Sequence, residues 1–209
     1  AVQCFGKIPV DVSELGVDFL AASGHKFYAP KGVGICYVRE EWAKRLKPLI
    51  SGGSHEMGMR AGTENVPGIV GIAKALELAI EELDEEPGRQ QELAESLLSG
   101  LHDHLEGVYL NGPEEGRLPG LLNVSFEKVE GESLLLSLDM QGIGISSGSA
   151  CTSGSLKPSH VLEAMDCDPV LAHSNIRFSL GRDNTEEDVD YVLRVLPPLV
   201  KKLREVSML

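Results

Sequence analysis

The sequence feature that most constrains the fold is a lysine in a Gly/Pro-rich turn directly after an apolar run. The run covers residues 17–22, and the turn at residues 23–34 reads Ser-Gly-His-Lys-Phe-Tyr-Ala-Pro-Lys-Gly-Val-Gly. An apolar run that stops at such a turn predicts a buried strand. We therefore expect the strand to end at the turn and to place the Lys26 amine at the mouth of a pocket.

Lys26 has neighbours that suit chemistry with an anionic ligand. A desolvated lysine can attack a carbonyl and form a Schiff base. Ser23 and His25 could donate hydrogen bonds to an anionic group beside it. The alternative is a solvated turn lysine, because most lysines in such turns face water. The rest of the sequence has to decide between the two.

Charge and composition exclude some classes of partner. The 209 residues carry a net charge of −13, with 42% hydrophobic and 24% charged residues. This composition predicts an ordinary packed core in one large domain or two small ones. An acidic chain is repelled by nucleic acid and by anionic membranes, so we expect neither as a partner. No apolar stretch approaches the length of a membrane span.

The cysteines are widely spaced and form no CxxC pair; they are Cys4, Cys36, Cys151 and Cys167. This spacing argues against a zinc site and against a disulfide framework. Cysteines kept without such a framework indicate a reducing compartment, and we expect a cytoplasmic protein without a structural metal.

The first half of the chain predicts strands followed by two helices. Apolar segments at residues 1–5, 18–22 and 34–38 predict buried strands of a larger sheet. The first helix has an apolar stripe with i, i+3, i+4 spacing, made of Val66, Ile69, Val70, Ala73, Leu76, Ile80 and Leu83. The second, at residues 89–105, has Leu93, Leu97, Leu98 and Leu101 on one face. The acidic, helix-breaking junction at residues 84–88 predicts a domain boundary.

The second half alternates strands and helices. Strands are predicted at residues 108–110, 121–126, 144–146 and 175–179, and helices at 132–140, 158–165 and 185–206. Thr185 and Asp188 have the spacing of a capping box at the start of the last helix. Pro197 and Pro198 should kink or split that helix, because each lacks an amide donor.

A second candidate site is a run of small residues that contains Cys151. Residues 146–155 read Ser-Ser-Gly-Ser-Ala-Cys-Thr-Ser-Gly-Ser. Such a segment buries little surface, so we expect a mobile loop with an accessible thiol. The alternative is a Ser/Gly linker that contains a cysteine by chance.

Two further segments could contact a ligand. The glycine-rich stretch at residues 52–65 precedes a long helix, and Thr63 near the helix N-terminus could donate to a phosphate. The alternative is a tight surface connection in which Glu64 and Asn65 cap the helix. Arg177 lies inside an apolar strand, where its burial is costly unless it meets an anion. A substrate carboxylate or a structural Asp or Glu could be that anion.

Together these stretches resemble the pyridoxal-phosphate-dependent cysteine desulfurases of the NifS/IscS type. The motifs that carry the resemblance are Ser-Gly-His-Lys with its Pro-Lys-Gly turn, Arg-Ala-Gly-Thr-Glu-Asn, Ser-Ser-Gly-Ser-Ala-Cys-Thr-Ser-Gly and Ser-Asn-Ile-Arg-Phe-Ser-Leu-Gly-Arg. They occur in the family's order, and the resemblance covers nearly all of the chain. It implies an α/β fold of the PLP-transferase type (fold type I). Residues 1–83 would be the remainder of the large cofactor-binding domain, and residues 84–209 the small α+β domain with the cysteine loop.

The resemblance implies a role for each matching residue. Lys26 would bind pyridoxal 5'-phosphate covalently and later move protons at the substrate. Ser23 and His25 would hold the phosphate, Gln3 the phenolic oxygen, and Thr63 the phosphate of the other subunit in a homodimer. Arg177 would bind the carboxylate of L-cysteine. Cys151 would take the sulfur as a persulfide, release alanine and pass the sulfur to an acceptor such as an IscU/NifU-like scaffold, in iron–sulfur cluster assembly or thiolation.

The resemblance also implies that the sequence starts just after the family's aspartate that pairs with the pyridine nitrogen. Roughly the first half of a typical member would then be absent, and the chain would hold half an active site. We expect such a fragment to bind the cofactor weakly or not at all and to be inactive without its other half. The alternatives are a selenocysteine lyase and a non-catalytic module that docks a sulfur-acceptor scaffold.

Overall fold

A computed structural model describes residues 1–147 and 159–207. The chain divides into two compact units, Ala1–Glu86 and Pro87–Leu209. This division falls three residues beyond the boundary between residues 83 and 84 that the sequence suggests. Each unit has its own sheet and its own apolar core, and the mixed α/β character predicted from the sequence is confirmed.

The first unit is built around an antiparallel pair of strands. Its elements in chain order are α1 Val12–Leu15, β1 Phe19–Ser23, β2 Gly34–Val38, α2 Glu40–Ala43 and α3 Val66–Glu81, with 3-10 turns at Gly24–Phe27 and Glu56–Gly58. The strands pair from Phe19↔Val38 to Ser23↔Gly34. They run antiparallel because the ten-residue connection is too short for the crossover that a parallel pair requires. Both strands were predicted, but no residue of β2 is buried.

The strand predicted at residues 1–5 is wrong, because the chain forms turns there. The Cys4 amide donates to the Ala1 carbonyl, and the amides of Lys7 and Ile8 both donate to the Cys4 carbonyl. Gly6 has φ of +72°, a left-handed conformation that a β-strand cannot contain. These local bonds satisfy the backbone groups that a strand would offer to a neighbour.

The buried face of helix α3 differs from the face that its large apolar residues predict. Val66, Ile69, Val70 and Ile80 are all more than 40% exposed. The buried residues are Gly68, Ile72 and Ala79. Small residues allow close approach on this side: a Cβ placed on Gly71 would lie 2.9 Å from Pro30 Cγ, and one on Gly6 would lie 3.0 Å from Ala79 Cβ. Close packing on small residues therefore decides which side of α3 is buried.

The second unit has a three-stranded antiparallel sheet in the order β3-β4-β5. Its elements are α4 Glu86–His104, β3 Val108–Leu110, β4 Leu121–Phe126, α5 Gly131–Asp139, α6 His160–Ala164, α7 Pro169–His173, β5 Asn175–Ser179 and α8 Glu186–Val206. All of the predicted strands in this unit are confirmed except that at residues 144–146, which is a single bridge at Ser146. Helix α7 was not predicted, since its five residues are too few to show a period.

The sheet of the second unit has one apolar and one polar face. Leu122, Val124 and Phe126 of β4 are buried in the main core, with Ile176 and Phe178 of β5. The positions that alternate with them carry polar side chains at Asn123, Ser125, Asn175 and Arg177, and Asn111 directly follows β3. This alternation is the period of a strand that separates two environments. The predicted leucine stripe of α4 packs on the apolar face, where Leu93, Leu97 and Leu101 are buried and Leu98 is half-buried.

Helix α8 begins at the predicted capping box. Thr185 Oγ1 accepts from the Asp188 amide, and Asp188 Oδ2 accepts from the Thr185 amide. The helix continues through Pro197 and Pro198 without interruption, so the predicted split is wrong. Its apolar stripe, with Leu196 fully buried, holds it on the core even though two amide donors are missing. Among the described residues, no helix has both the length and the apolar content that a bilayer crossing requires.

Candidate functional site

The turn that carries Lys26 is closed by its own backbone. Strand β1 ends at Ser23, and the next four residues form the 3-10 turn. The Gly24 amide donates to the Val33 carbonyl at 3.0 Å, and the Ala29 amide donates to the Gly24 carbonyl at 3.1 Å. Tyr28 ends the turn in the left-handed region with φ of 67°. These bonds bring the two ends of the connection together and fix its backbone.

Buried residues on either side of Lys26 anchor the turn to the core of the first unit. Gly24, Phe27 and Ala29 are buried, and they pack against Ile72 of α3. A Cβ on Gly24 would lie 2.9 Å from Ile72 Cδ1 and 3.0 Å from the Val33 carbonyl oxygen. The backbone of Lys26 is therefore held by contacts on both sides of it.

The side chain of Lys26 is exposed, and so is that of His25. Lys26 faces outward beside the buried Phe27, so its amine is not desolvated within the described residues. Its place at the mouth of a pocket stays a prediction. Ser23 Oγ and His25 Nδ1 lie 2.8 Å apart, at hydrogen-bond distance. The structure thus brings together Ser23 and His25, the two side chains predicted to bind an anion. Both residues precede Lys26 in the chain.

Gln3 lies in the N-terminal turn, which is tied to the same region. The Ala1 amine donates to the Ala21 carbonyl of β1 at 3.0 Å. The ring of Phe5 lies 6.0 Å from the ring of Phe27, the residue after Lys26. Gln3 is exposed. Its amide is therefore available to a ligand.

Thr63 lies in a loop whose backbone is held by an arginine. The Arg60 guanidinium donates to the carbonyls of Ala61 and Gly62 at 3.1 and 2.9 Å. Asn65 caps α3, since its side-chain oxygen accepts from the Gly68 amide at 3.1 Å. The cap foreseen as the alternative for this segment is thus present at Asn65. Thr63 is exposed next to it, so its hydroxyl can reach a ligand or another chain.

Arg177 lies on β5 and is the candidate anion-binding residue of the second unit. Its Nη2 lies 3.5 Å from Ser146 Oγ, while its Nε is buried and has no hydrogen-bond partner among the described residues. No carboxylate of residues 1–147 or 159–207 forms an ion pair with it. The alternative of a structural Asp or Glu therefore finds no support in this part of the chain. The burial of an unpaired arginine nitrogen favours an anion from outside.

The predicted site residues fall in both units. Gln3, Ser23, His25, Lys26 and Thr63 belong to the first unit, and Arg177 belongs to the second. The predicted nucleophile Cys151 lies outside the described residues.

Sequence reasoning missed the polar residues that surround Arg177. Asn123 is the cross-strand partner of Arg177, and Ser146 is its bridge partner. The signal was present in the sequence: residues 121–126 read Leu-Leu-Asn-Val-Ser-Phe, so that polar residues recur at every second position. Such a pattern indicates a polar face of the sheet that needs an explanation.

Known proteins support an assignment to a family. The family model described as aminotransferase class-V matches residues 1–192. The chain is 53% identical to a cysteine desulfurase IscS from Dictyoglomus turgidum, over 99% of this chain and 52% of that protein. Among solved structures, it is similar to a NifS-like protein with a TM-score of 0.81 and 43% identity, over 99% of this chain and 50% of the other. A NifS-like protein from Rickettsia africae gives a TM-score of 0.86 at 30% identity, over 96% of this chain and 52% of that one.

These likenesses confirm the resemblance to NifS/IscS-type proteins and the predicted fold. The chain spans about half the length of the curated relatives it matches. The family match covers most of the residues, including Lys26, Thr63 and Arg177. The chain therefore belongs to the class-V aminotransferase family.

Proposed function

We propose that the protein is a pyridoxal-phosphate-dependent cysteine desulfurase, which takes sulfur from L-cysteine and leaves L-alanine and a persulfide. The observation that carries the proposal is the pair Ser23–His25, 2.8 Å apart and directly before an outward-facing Lys26. Two polar side chains beside one amine suit a ligand that has both a phosphate and a carbonyl group. The relatives named cysteine desulfurase, which are 52–53% identical to the chain, support the choice of reaction.

The residues present fit pyridoxal 5'-phosphate. The Ser23 hydroxyl, the His25 imidazole and the Thr63 hydroxyl are hydrogen-bonding groups of the kind that bind phosphate. The exposed Gln3 amide could donate to the phenolic oxygen. When bound, the cofactor supplies an electron sink for the substrate carbon. The turn contributes a fixed backbone at Lys26.

Each of the chain's own residues has one task in the proposed reaction. Lys26 would hold the cofactor, and its amine would move a proton at the α-carbon of the substrate. Arg177 binds the substrate carboxylate, which would pair with a guanidinium that lacks a counter-ion in the described part of the chain.

Cys151 is the proposed nucleophile. Its thiolate attacks the sulfur of bound L-cysteine; a sulfur–sulfur bond forms while the bond between that sulfur and the β-carbon breaks. The persulfide stays on Cys151, and protonation of the β-carbon gives alanine. Cys151 is five positions after Ser146 in the sequence, and five residue steps of extended chain span about 17 Å. A thiol at this position can therefore reach the surroundings of Arg177.

The finer parts of the proposal follow from the same resemblance. Residues 1–83 would belong to the large cofactor-binding domain, and residues 84–209 would form the small domain with the cysteine loop. Thr63 would reach the cofactor phosphate of a second copy in a homodimer. The sulfur would pass to a scaffold protein for iron–sulfur cluster assembly. We place the reaction in the cytoplasm, because the widely spaced cysteines of the sequence form no CxxC pair and argue against a disulfide framework.

The proposal is tested with the cofactor-loaded protein, completed by the other half that the sequence analysis expects it to need, and with the variants Cys151→Ala and Cys36→Ala. Alanine and sulfide are measured with L-cysteine as substrate, and the visible absorbance reports the cofactor bound at Lys26. We expect Cys151→Ala to lose sulfide formation while it keeps the absorbance. The control Cys36→Ala should keep both, because Cys36 lies on the exposed strand β2. Full sulfide formation by Cys151→Ala would refute the role of this thiol.

A further inference from the structure

We infer that Asn123 is a positioning residue that keeps Arg177 free of a protein counter-ion, so that its guanidinium stays available to a carboxylate ligand. The inference rests on the proposed function, in which that ligand is L-cysteine. It assigns a role to a neutral amide that the sequence pattern alone did not single out.

The backbone pairing brings the two side chains together. The Arg177 amide donates to the Ser146 carbonyl at 2.7 Å, and the Ser146 amide donates to the Arg177 carbonyl at 3.1 Å. Both backbone groups of Arg177 therefore point away from β4. Its pairing with Asn123 on β4 must then be of the non-hydrogen-bonded kind. In such pairs the Cα atoms are about 4.5 Å apart and the side chains lie on the same face at their closest.

The amide of Asn123 is held at both ends. Asn111 Nδ2 donates to Asn123 Oδ1 at 2.7 Å, and Asn123 Nδ2 donates to Asn175 Oδ1 at 3.3 Å. Asn175 Nδ2 in turn donates to the Ala172 carbonyl at 2.6 Å. The oxygen of Asn123 is thus occupied by another amide. The side chain beside Arg177 has a fixed direction and no charge.

Two further polar side chains near this pair, those of Ser125 and Ser146, are neutral as well. Ser125 Oγ donates to the Leu171 carbonyl at 2.7 Å, and it accepts from Asn111 Nδ2 at 2.8 Å. The Arg177 guanidinium reaches Ser146 Oγ, with Nη2 at 3.5 Å from it. Within the described ranges, no carboxylate forms an ion pair with Arg177, and its Nε has no acceptor. A cation in neutral, hydrogen-bonded surroundings is the arrangement that an external anion completes.

Replacing Asn123 by aspartate would give Arg177 a counter-ion within the protein, with almost no change in the shape of the side chain at position 123. Asp and Asn have the same size, but the carboxylate would lie beside the guanidinium and pair with it. An internal ion pair needs no ligand, so it competes directly with an incoming carboxylate. If Asn123 served only to tie α7 to the sheet, the charge at this position would not affect ligand binding.

The test measures carboxylate binding at Arg177 itself. The 209-residue chain is labelled with 15N-arginine, and the Nε–Hε signal of Arg177, identified by its loss in Arg177→Lys, is followed while L-alanine is added. We expect a saturable shift in the unmodified chain and about tenfold weaker binding in Asn123→Asp, a difference of about 1.4 kcal/mol. The matched control is Asn65→Asp, which adds the same charge at a helix N-cap where Asp and Asn are equally good. It should bind L-alanine like the unmodified chain.

A second variant keeps the test decisive if Asn123→Asp does not fold, since the bond to Asn175 is lost in it. Ser146→Asp introduces a carboxylate from the other side of Arg177, and it should weaken L-alanine binding in the same way. Unchanged binding in a folded Asn123→Asp or Ser146→Asp chain would overturn the inference, and so would an Arg177 signal that L-alanine does not move in the unmodified chain. Failure of the desulfurase proposal shows up separately, as sulfide formation that does not need Cys151.

Discussion

Ser146 and Arg177 exchange two backbone hydrogen bonds, of 3.1 and 2.7 Å, and this bridge covers the outer edge of β5. The residue that starts the small-residue run around Cys151 is therefore fastened to the strand that presents the candidate anion-binding arginine. The two groups proposed to act on the substrate, a guanidinium and a thiol, share this anchor. The strength of this bridge should determine how firmly Ser146 is held beside Arg177.

The first prediction concerns this bridge. Ser146→Pro removes the amide that donates to the Arg177 carbonyl, and we expect a loss of about 1–3 kcal/mol of local stability. Ser146→Ala keeps both backbone bonds and loses only the 3.5 Å contact to the guanidinium, so its effect should be small. Hydrogen exchange at the Arg177 amide measures the difference. Equal exchange rates in the two variants would mean that the bridge does not persist in solution.

The second prediction concerns the anchor of the Lys26 turn. Gly24→Ala places a methyl group 3.0 Å from the Val33 carbonyl oxygen and 2.9 Å from Ile72 Cδ1. The backbone has to move, and we expect a cost of about 1–3 kcal/mol in the free energy of unfolding. The control is Gly88→Ala in α4, where nothing lies within 4 Å of the added Cβ.

Urea unfolding of the two variants checks this prediction. Gly88→Ala should be neutral or more stable by about 0.5–1 kcal/mol, because alanine favours a helix over glycine. If Gly24→Ala is as stable as Gly88→Ala, the turn is not packed as tightly as its contacts indicate.

Elements whose local signals agree with their tertiary contacts could be predicted from the sequence. The strands at Val108–Leu110, Leu121–Phe126 and Asn175–Ser179 have the predicted bounds, because turn residues bound each apolar run. Helix α8 begins at its capping box for a reason that is entirely local. In the candidate site, the sequence placed Ser23 and His25 next to Lys26 because all three lie in one short turn.

What the sequence could not predict depends on contacts between distant residues. The buried side of α3 follows from the fit of Gly71 against Pro30 and of Ala79 against Gly6, and not from the size of its apolar residues. The amide chain through Asn123 requires the register of three strands, which a single sequence does not define. The outward direction of Lys26 results from the burial of Phe27 and Ala29 beside it. Where small residues or polar networks make the contacts, the packing between distant residues therefore decides which side chains are buried, and the hydrophobic pattern of the sequence does not.

The third prediction concerns the start of α8. Thr185→Ala removes the oxygen that accepts from the Asp188 amide, and it should cost about 1 kcal/mol in the free energy of unfolding. Thr185→Ser keeps an oxygen at the same position and should cost much less. Thermal or urea unfolding of both variants measures the difference. An equal loss in both would indicate that the cap is not formed.

The last prediction concerns the packing of α4 against α8 at one glycine. A Cβ on Gly100 would collide with Leu193, whose Cδ2 would lie at 2.8 Å and whose Cγ would lie at 3.1 Å. Gly100→Ala should therefore cost about 1 kcal/mol, even though alanine favours the helix. In a Leu193→Ala background the three atoms nearest to the added Cβ are gone. The same change should then stabilise the chain by about 0.5–1 kcal/mol.

A double-mutant cycle on Gly100 and Leu193 isolates their coupling. The four free energies of unfolding should give an interaction energy of about 1.5–2 kcal/mol, since the two side chains compete for one volume. Residues without a shared contact would be additive within about 0.5 kcal/mol. Additivity here would mean that Leu193 moves aside at no cost, and that close approach at Gly100 does not hold α8 on α4.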